Sequence, residues 1–136
     1  MSFQEIFKSY NDKVQFIMVY IREAHPVEGW WFGKGLTRRM IKFYSPKTSV
    51  ETYDPKTDVE RQKVARQCEN TLKYGIRTCV DTIDDKVSKA YAARPTRIYL
   101  VGIDGKVVYR GGLGPFGFKP NDFKKAIKDY LGTIKI

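Results

Sequence analysis

The chain has 136 residues, 42% hydrophobic and 14% aromatic, with 25 Lys and Arg against 15 Asp and Glu, a formal net charge of +10. That length carries one domain with a hydrophobic core of its own, and the composition excludes a disordered chain. No apolar run approaches a membrane span and no charged-then-apolar signal opens the chain, so an integral membrane protein is not expected.

Ser2 and Glu5 have the spacing of a capping box, and Phe3, Ile6, Phe7 and Tyr10 repeat as one apolar helical face. The helix has its own start signal, so nothing structured is expected to precede it. Residues 14–21 are nearly all apolar and read as a parallel strand covered on both faces. The strand runs into a polar cluster with Glu23, His25 (the only histidine), Trp30 and Trp31. A strand that delivers a carboxylate, an imidazole and large aromatics to its C-terminal end is a common way for α/β proteins to build a site.

Residues 22–57 read mostly as loop. Between Gly29 and Val50 stand Lys34, Arg38, Arg39, Lys42 and Lys47 with no acidic residue. The block is either a solvated loop or a docking surface for RNA, an anionic lipid or an acidic partner, and charge does not choose among them. Trp30, Trp31, Lys34, Arg38, Arg39 and Lys42 are its candidate binding residues, although two tryptophans serve as core or interface anchors more often than as a ligand cage.

Thr57 and Glu60 form a second capping-box spacing, predicting a helix to about residue 74 with sparse apolar positions at Val59, Val64, Ala65, Cys68 and Leu72. A strand at 78–82 and a helix at 84–92 follow. Residues 96–102 and 106–110 are β-rich runs around Asp104-Gly105, a hairpin signal. A glycine-rich turn at 111–117 leads to a last helix from Pro120 or Asn121, with Phe123, Ile127, Tyr130 and Leu131 on its apolar face and Gly132 suited to its C-terminal cap.

The order α-β-α-β-α-β-β-α suggests an α/β, thioredoxin-like fold, a central mixed sheet flanked by helices. It is expected as a single domain over 1–136, with the fold's first strand missing and a basic loop insertion at about 34–57. Pro95-Thr96 stands where that fold places a proline that is usually cis; a trans proline opening a strand is the alternative, and the fold favours cis. Cys68 and Cys79 have neither redox-motif nor metal-ligand spacing and read as structural thiols in a reducing compartment. The 111–117 turn lacks phosphate-loop spacing. No metal and no cofactor is expected.

Residues 16–32, FIMVYIREAHPVEGWWF, are similar to the segment of iodothyronine deiodinases that reads as an apolar strand followed by E-A-H-P/A-x-D-G-W. Glu60-Arg61 stands where that family has an acidic-arginine pair in a helix. Asp81, Asp84, Ala90-Tyr91 and Arg97 follow its D-x-M-D…A-Y-G…E-R pattern. Gly111-Gly112-x-Gly114-Pro115-Phe116 matches its glycine-rich turn. The resemblance implies reductive removal of iodide from iodothyronines by a selenocysteine at the start of the first helix. It also implies that Glu23 and His25 are the carboxylate and imidazole near substrate, with Arg97 a basic residue of the same site. The chain departs from the pattern in having no cysteine before Cys68 and no histidine in TYDPKTDVERQ ahead of the acidic-arginine pair.

Three functional readings follow. The first is a noncatalytic, deiodinase-like accessory or structural subunit whose protein partners form a larger assembly. Such a basic, enzyme-derived subunit would suit a mitochondrial respiratory complex or ribosome, and the location is otherwise cytoplasmic. In that reading Glu23, His25 and Arg97 are remnants of a site: His25 hydrogen-bonds across a strand end and Glu23 pairs with Arg97 or Arg22. The second is a thiol- or selenol-type oxidoreductase whose nucleophile lies outside this chain or is Cys68 or Cys79. The third is a basic nucleic-acid-binding module built on the 34–47 block.

Overall fold

The computed structural model describes residues 2–22, 53–73 and 75–134. Among these the elements are α1 (Phe3–Tyr10), β1 (Ile17–Tyr20), α2 (Asp58–Leu72), β2 (Arg77–Val80), α3 (Lys86–Ala90), β3 (Tyr99–Val101), β4 (Val107–Arg110) and α4 (Pro120–Thr133), in the expected order. The chain divides into two compact units, one of Met1–Phe16 with Ser88–Ile136 and one of Ile17–Val87. The sheet structure is likewise in two pieces among the described residues: β1 pairs with β2 in parallel, and β3 with β4 antiparallel.

The first unit is built on aromatic and aliphatic packing. Both arms of the Ser2–Glu5 capping box form, with Glu5 N donating to Ser2 Oγ and Ser2 N to Glu5 Oε2. Ile6, Leu100, Phe123 and Ile127 are buried together, each contributing about 1.5–3 kcal/mol relative to exposure. Phe3 stacks on Phe123 with ring centroids 6.1 Å apart and meets Phe16 edge-on at 6.0 Å. The hairpin closes as expected: Gly102 N donates to Lys106 O at 2.8 Å, and Gly105 takes φ +77°, open to glycine at no steric cost. The final helix runs through Gly132 and is capped at Ile134, not at the glycine.

β1 begins at Ile17, later than the apolar run suggested. Lys13 N and Val14 N both bond back to Tyr10 O, and Phe16 packs edge-on against Phe7 at 5.3 Å. Those contacts commit residues 14–16 to the first unit's core before the ladder starts. Nor are both faces of β1 covered, since Ile17 is 52% and Val19 38% exposed.

In the second unit, Thr57 caps α2 with both bonds of its box to Glu60. The helix ends at Leu72 because Lys73 turns left-handed, with φ 46°. Its buried face differs from the apolar pattern. Val59 is 75% exposed, whereas Arg61, at 2%, is buried with Ala65. A charged residue is the most buried of the helix's described side chains, and the reason lies in what it meets.

Candidate functional site

Because β1 and β2 run in parallel with Ile17 opposite Arg77 and Tyr20 opposite Val80, both strands end at one edge. Asp81 N extends the ladder by one bond to Tyr20 O at 2.9 Å. The N-terminal end of α2 and the turn after β2 meet by side-chain bonds. Ile83 N donates to Asp58 Oδ1 at 2.7 Å, and Asp81 Oδ1 accepts from both Thr82 N and Val87 N.

Arg61 reaches the same turn. Its Nη1 donates to Thr82 O at 2.5 Å, and its Nη2 lies 2.8 Å from Asp85 Oδ1. The second approach is close but poorly aligned: Asp85 Oδ1 and Arg61 Nε are buried without a hydrogen-bond partner. Asp85 adopts φ +60°, a left-handed conformation uncommon for a residue with a side chain. The turn meets the buried guanidinium with the Thr82 carbonyl and the Asp85 carboxylate, which explains why the helix buries arginine where an apolar residue would otherwise stand.

A second ion pair joins distant positions in the sequence. Arg22, the residue before Glu23, donates from Nη2 to Asp54 Oδ2 at 2.5 Å and from Nε to Asp54 Oδ1 at 3.2 Å. Arg22 Nη1 also lies 3.8 Å from Asp85 Oδ2, so both arginines share Asp85. The hydrogen bond from Arg22 holds the Asp54 carboxyl below its ordinary range, against the opposing effect of burial. The same bond raises Arg22. Asp54 therefore carries no proton at neutral pH, and the paired carboxylate fixes backbone rather than transferring a proton itself.

The other described constellation lies in the first unit. Arg97 is half-buried with its Nε buried and unpartnered. The adjoining strand entry is bound to the glycine-rich turn by Gly114 N to Thr96 O at 2.9 Å and Gly111 N to Ile98 O at 2.8 Å. A Cβ on Gly117 would stand 2.5 Å from Gly112 C and Leu113 O, so the turn folds too tightly there for any side chain. Arg94–Pro95 is cis, as the fold led one to expect; Gly114–Pro115 is also cis, which no sequence signal had indicated.

Of the site remnants and binding residues proposed from the sequence, Arg97 alone is described. Glu23, His25, Trp30, Trp31, Lys34, Arg38, Arg39 and Lys42 lie outside the described residues. Cys68 and Cys79 are half-buried, one within α2 and one in β2, neither at a helix N-terminus. The Arg22–Asp54 pair was not legible because its partners are 32 positions apart. Arg61 carried a signal in the Glu60-Arg61 pair, but not its burial.

This is a mixed α/β protein whose parallel β-α-β unit ends in a charged edge and whose hairpin is tied to a glycine-rich turn. It belongs to the iodothyronine deiodinase family, whose model matches residues 1–131. Thyroxine 5-deiodinase of Sparus aurata is 30% identical over 133 residues, covering 98% of this chain and 44% of that protein. The Aquarana catesbeiana protein of the same name is 30% identical over 129 residues, covering 95% and 42%. That of Gallus gallus is 29% identical over 137 residues, covering 98% and 46%. The chain thus spans less than half the length of these curated relatives. Several residues that carry the resemblance have structural duties: Arg61 pairs with Asp85, Asp81 caps the turn after β2, and Tyr91 packs edge-on to Tyr99.

Proposed function

We propose that this chain is the substrate-side part of a deiodinase-like reductive dehalogenase, on one thioredoxin-like domain over 1–136 with a basic insertion at about 34–57. The nucleophile, like the fold's first strand, is supplied from outside these residues. The observation that carries the reading is the Arg22–Asp54–Asp85–Arg61 network, which holds the chain just past β1 at Arg22, the residue before Glu23. In this reading a thiolate or selenolate takes iodine from an aryl carbon, the electron pair of the broken bond stays on that carbon, and a proton relayed by His25 replaces the iodine. Glu23 is the carboxylate and Arg97 the basic residue that the family resemblance assigns to the substrate.

The half-buried state of both thiols and the net charge of +10 favour a second reading, the noncatalytic accessory subunit of a larger, mitochondrial assembly. One experiment separates the two. The protein is recovered by affinity purification at native expression and assayed for iodide release from an iodothyronine with a thiol reductant. The first reading expects release that His25→Ala abolishes without changing the thermal midpoint. A stable complex that releases no iodide would establish the second. Binding to RNA that weakens steeply with salt and depends on Arg38, Arg39 and Lys42 would point instead to a nucleic-acid module.

A further inference from the structure

The glycine-rich turn carries a feature that the dehalogenase reading does not use. Phe116 is 94% exposed, and Leu113, on the same turn, is also exposed. These side chains do not sit on a slack loop. Gly117 N donates to Leu113 O at 2.7 Å across the turn, and Gly114 N and Gly111 N bind it to the strand beside it. At its far end Phe118 packs on Phe3, ring centroids 6.4 Å apart, which ties the turn to the core. The backbone is therefore held by hydrogen bonds while its largest apolar side chain stands in water.

The charges around this tip have one sign. Residues 94–97 and 110–119, the two segments bonded to each other, contain Arg94, Arg97, Arg110 and Lys119 and no acidic residue. Arg94, Arg110 and Lys119 are exposed. The unit that holds them, Met1–Phe16 with Ser88–Ile136, has twelve Lys and Arg against five Asp and Glu, a formal charge of +7. The remaining residues contribute +3, so most of the chain's excess charge belongs to the unit with the exposed phenylalanine.

We propose that this turn is a contact site for an anionic lipid surface, with Phe116 and Leu113 entering the headgroup–acyl boundary and Arg94, Arg110 and Lys119 held against the phosphates. Two things favour lipid over a folded acidic protein. A protein partner reads a protruding aromatic through a preformed pocket within a broad buried patch, whereas the apolar surface here is Phe116, Leu113 and part of Phe118 on one turn. A fluid interface needs no matching shape, and its attraction is the sum of apolar burial and the charge of nearby Lys and Arg. No helix among the described residues is long and apolar enough to cross a membrane.

The test is sedimentation of the full chain with vesicles of phosphatidylcholine alone and of phosphatidylcholine mixed with phosphatidylserine. Binding is expected to the mixed vesicles only, and to be reversed by salt. Phe116→Ser should weaken it about tenfold or more, the loss expected from removing one buried aromatic side chain. Lys119→Gln should weaken it about fivefold, and Arg38→Gln with Arg39→Gln should leave it unchanged. Phe116 is exposed, so the serine variant keeps its fold, which its thermal midpoint checks. The proposal is overturned if Phe116→Ser sediments as the parent does, if the 38/39 variant alone loses binding, or if the parent ignores anionic vesicles. It is overturned equally if Phe116→Ser converts a vesicle-free dimer to a monomer, which would make the tip a contact between copies.

Discussion

The interior of each of the two units rests on a different force. In the first, Ile6, Leu100, Phe123 and Ile127 exclude water from a core to which phenylalanines and tyrosines add area and edge-on contacts. In the second, the buried set includes Arg61 and Asp81 beside Ala65 and Ile76, and its turn is fixed by bonds to charged groups. Apolar packing is non-directional and indifferent to pH, whereas a buried guanidinium specifies the position of each acceptor it meets. The comparison shows where the chain invests in geometry: at the end of β1, where the segment with Glu23 and His25 begins.

The largest effect expected from breaking this contrast is at Arg61. Arg61→Ala leaves Asp85 partly buried without its closest cation and should cost about 3–5 kcal/mol. Amide exchange should then rise at residues 17–20 and 77–80 first, while the amides around Leu100 and Ile127 stay protected until global unfolding. Exchange that rises equally in both regions would show that the two units do not separate energetically.

Ile127→Ala is the opposite cut. It removes a fully buried side chain and should cost about 2–5 kcal/mol, depending on how far the core collapses, with the exchange pattern reversed. Urea denaturation of both variants measures the sizes on one scale.

The smallest effect is in pH. Asp54 has a folded-state pKa depressed chiefly by the hydrogen bond from Arg22. Its contribution is therefore present above the unfolded value of about 3.9 and is lost as pH falls through the lower folded value. Thermal midpoints should drop on acidification in this window, and Asp54→Asn should flatten the drop while lowering the midpoint at neutral pH. An unchanged acid limb in the variant would remove Asp54 from the account. The first unit's apolar core supplies no such pH dependence, which sharpens the contrast.

Much of the architecture could be read before any coordinates, because its signals are local. Ser2 and Glu5, or Thr57 and Glu60, satisfy each other's backbone donors within one turn, so their spacing places two helix starts to the residue. Asp104-Gly105 between two β-rich runs did the same for the hairpin. Errors arose where a distant contact outweighed the local pattern. Val14 and Phe16 belong to the first unit's core rather than to β1, Val59 is exposed, and α4 continues through Gly132. For the site, EAHP and the glycine-rich turn led to the family, but Arg97 is the one proposed site residue among those described.

By itself, then, the sequence determined the order of elements, both capping boxes, the hairpin and the family, all of which rest on spacings of a few residues. Only the tertiary structure decided that α2 buries Arg61, that Arg22 pairs with Asp54 across 32 positions, and that Phe116 stands in water on a turn bonded to the neighbouring strand. Burial and long-range charge pairing depend on what the rest of the chain brings alongside a residue, and no local period encodes that.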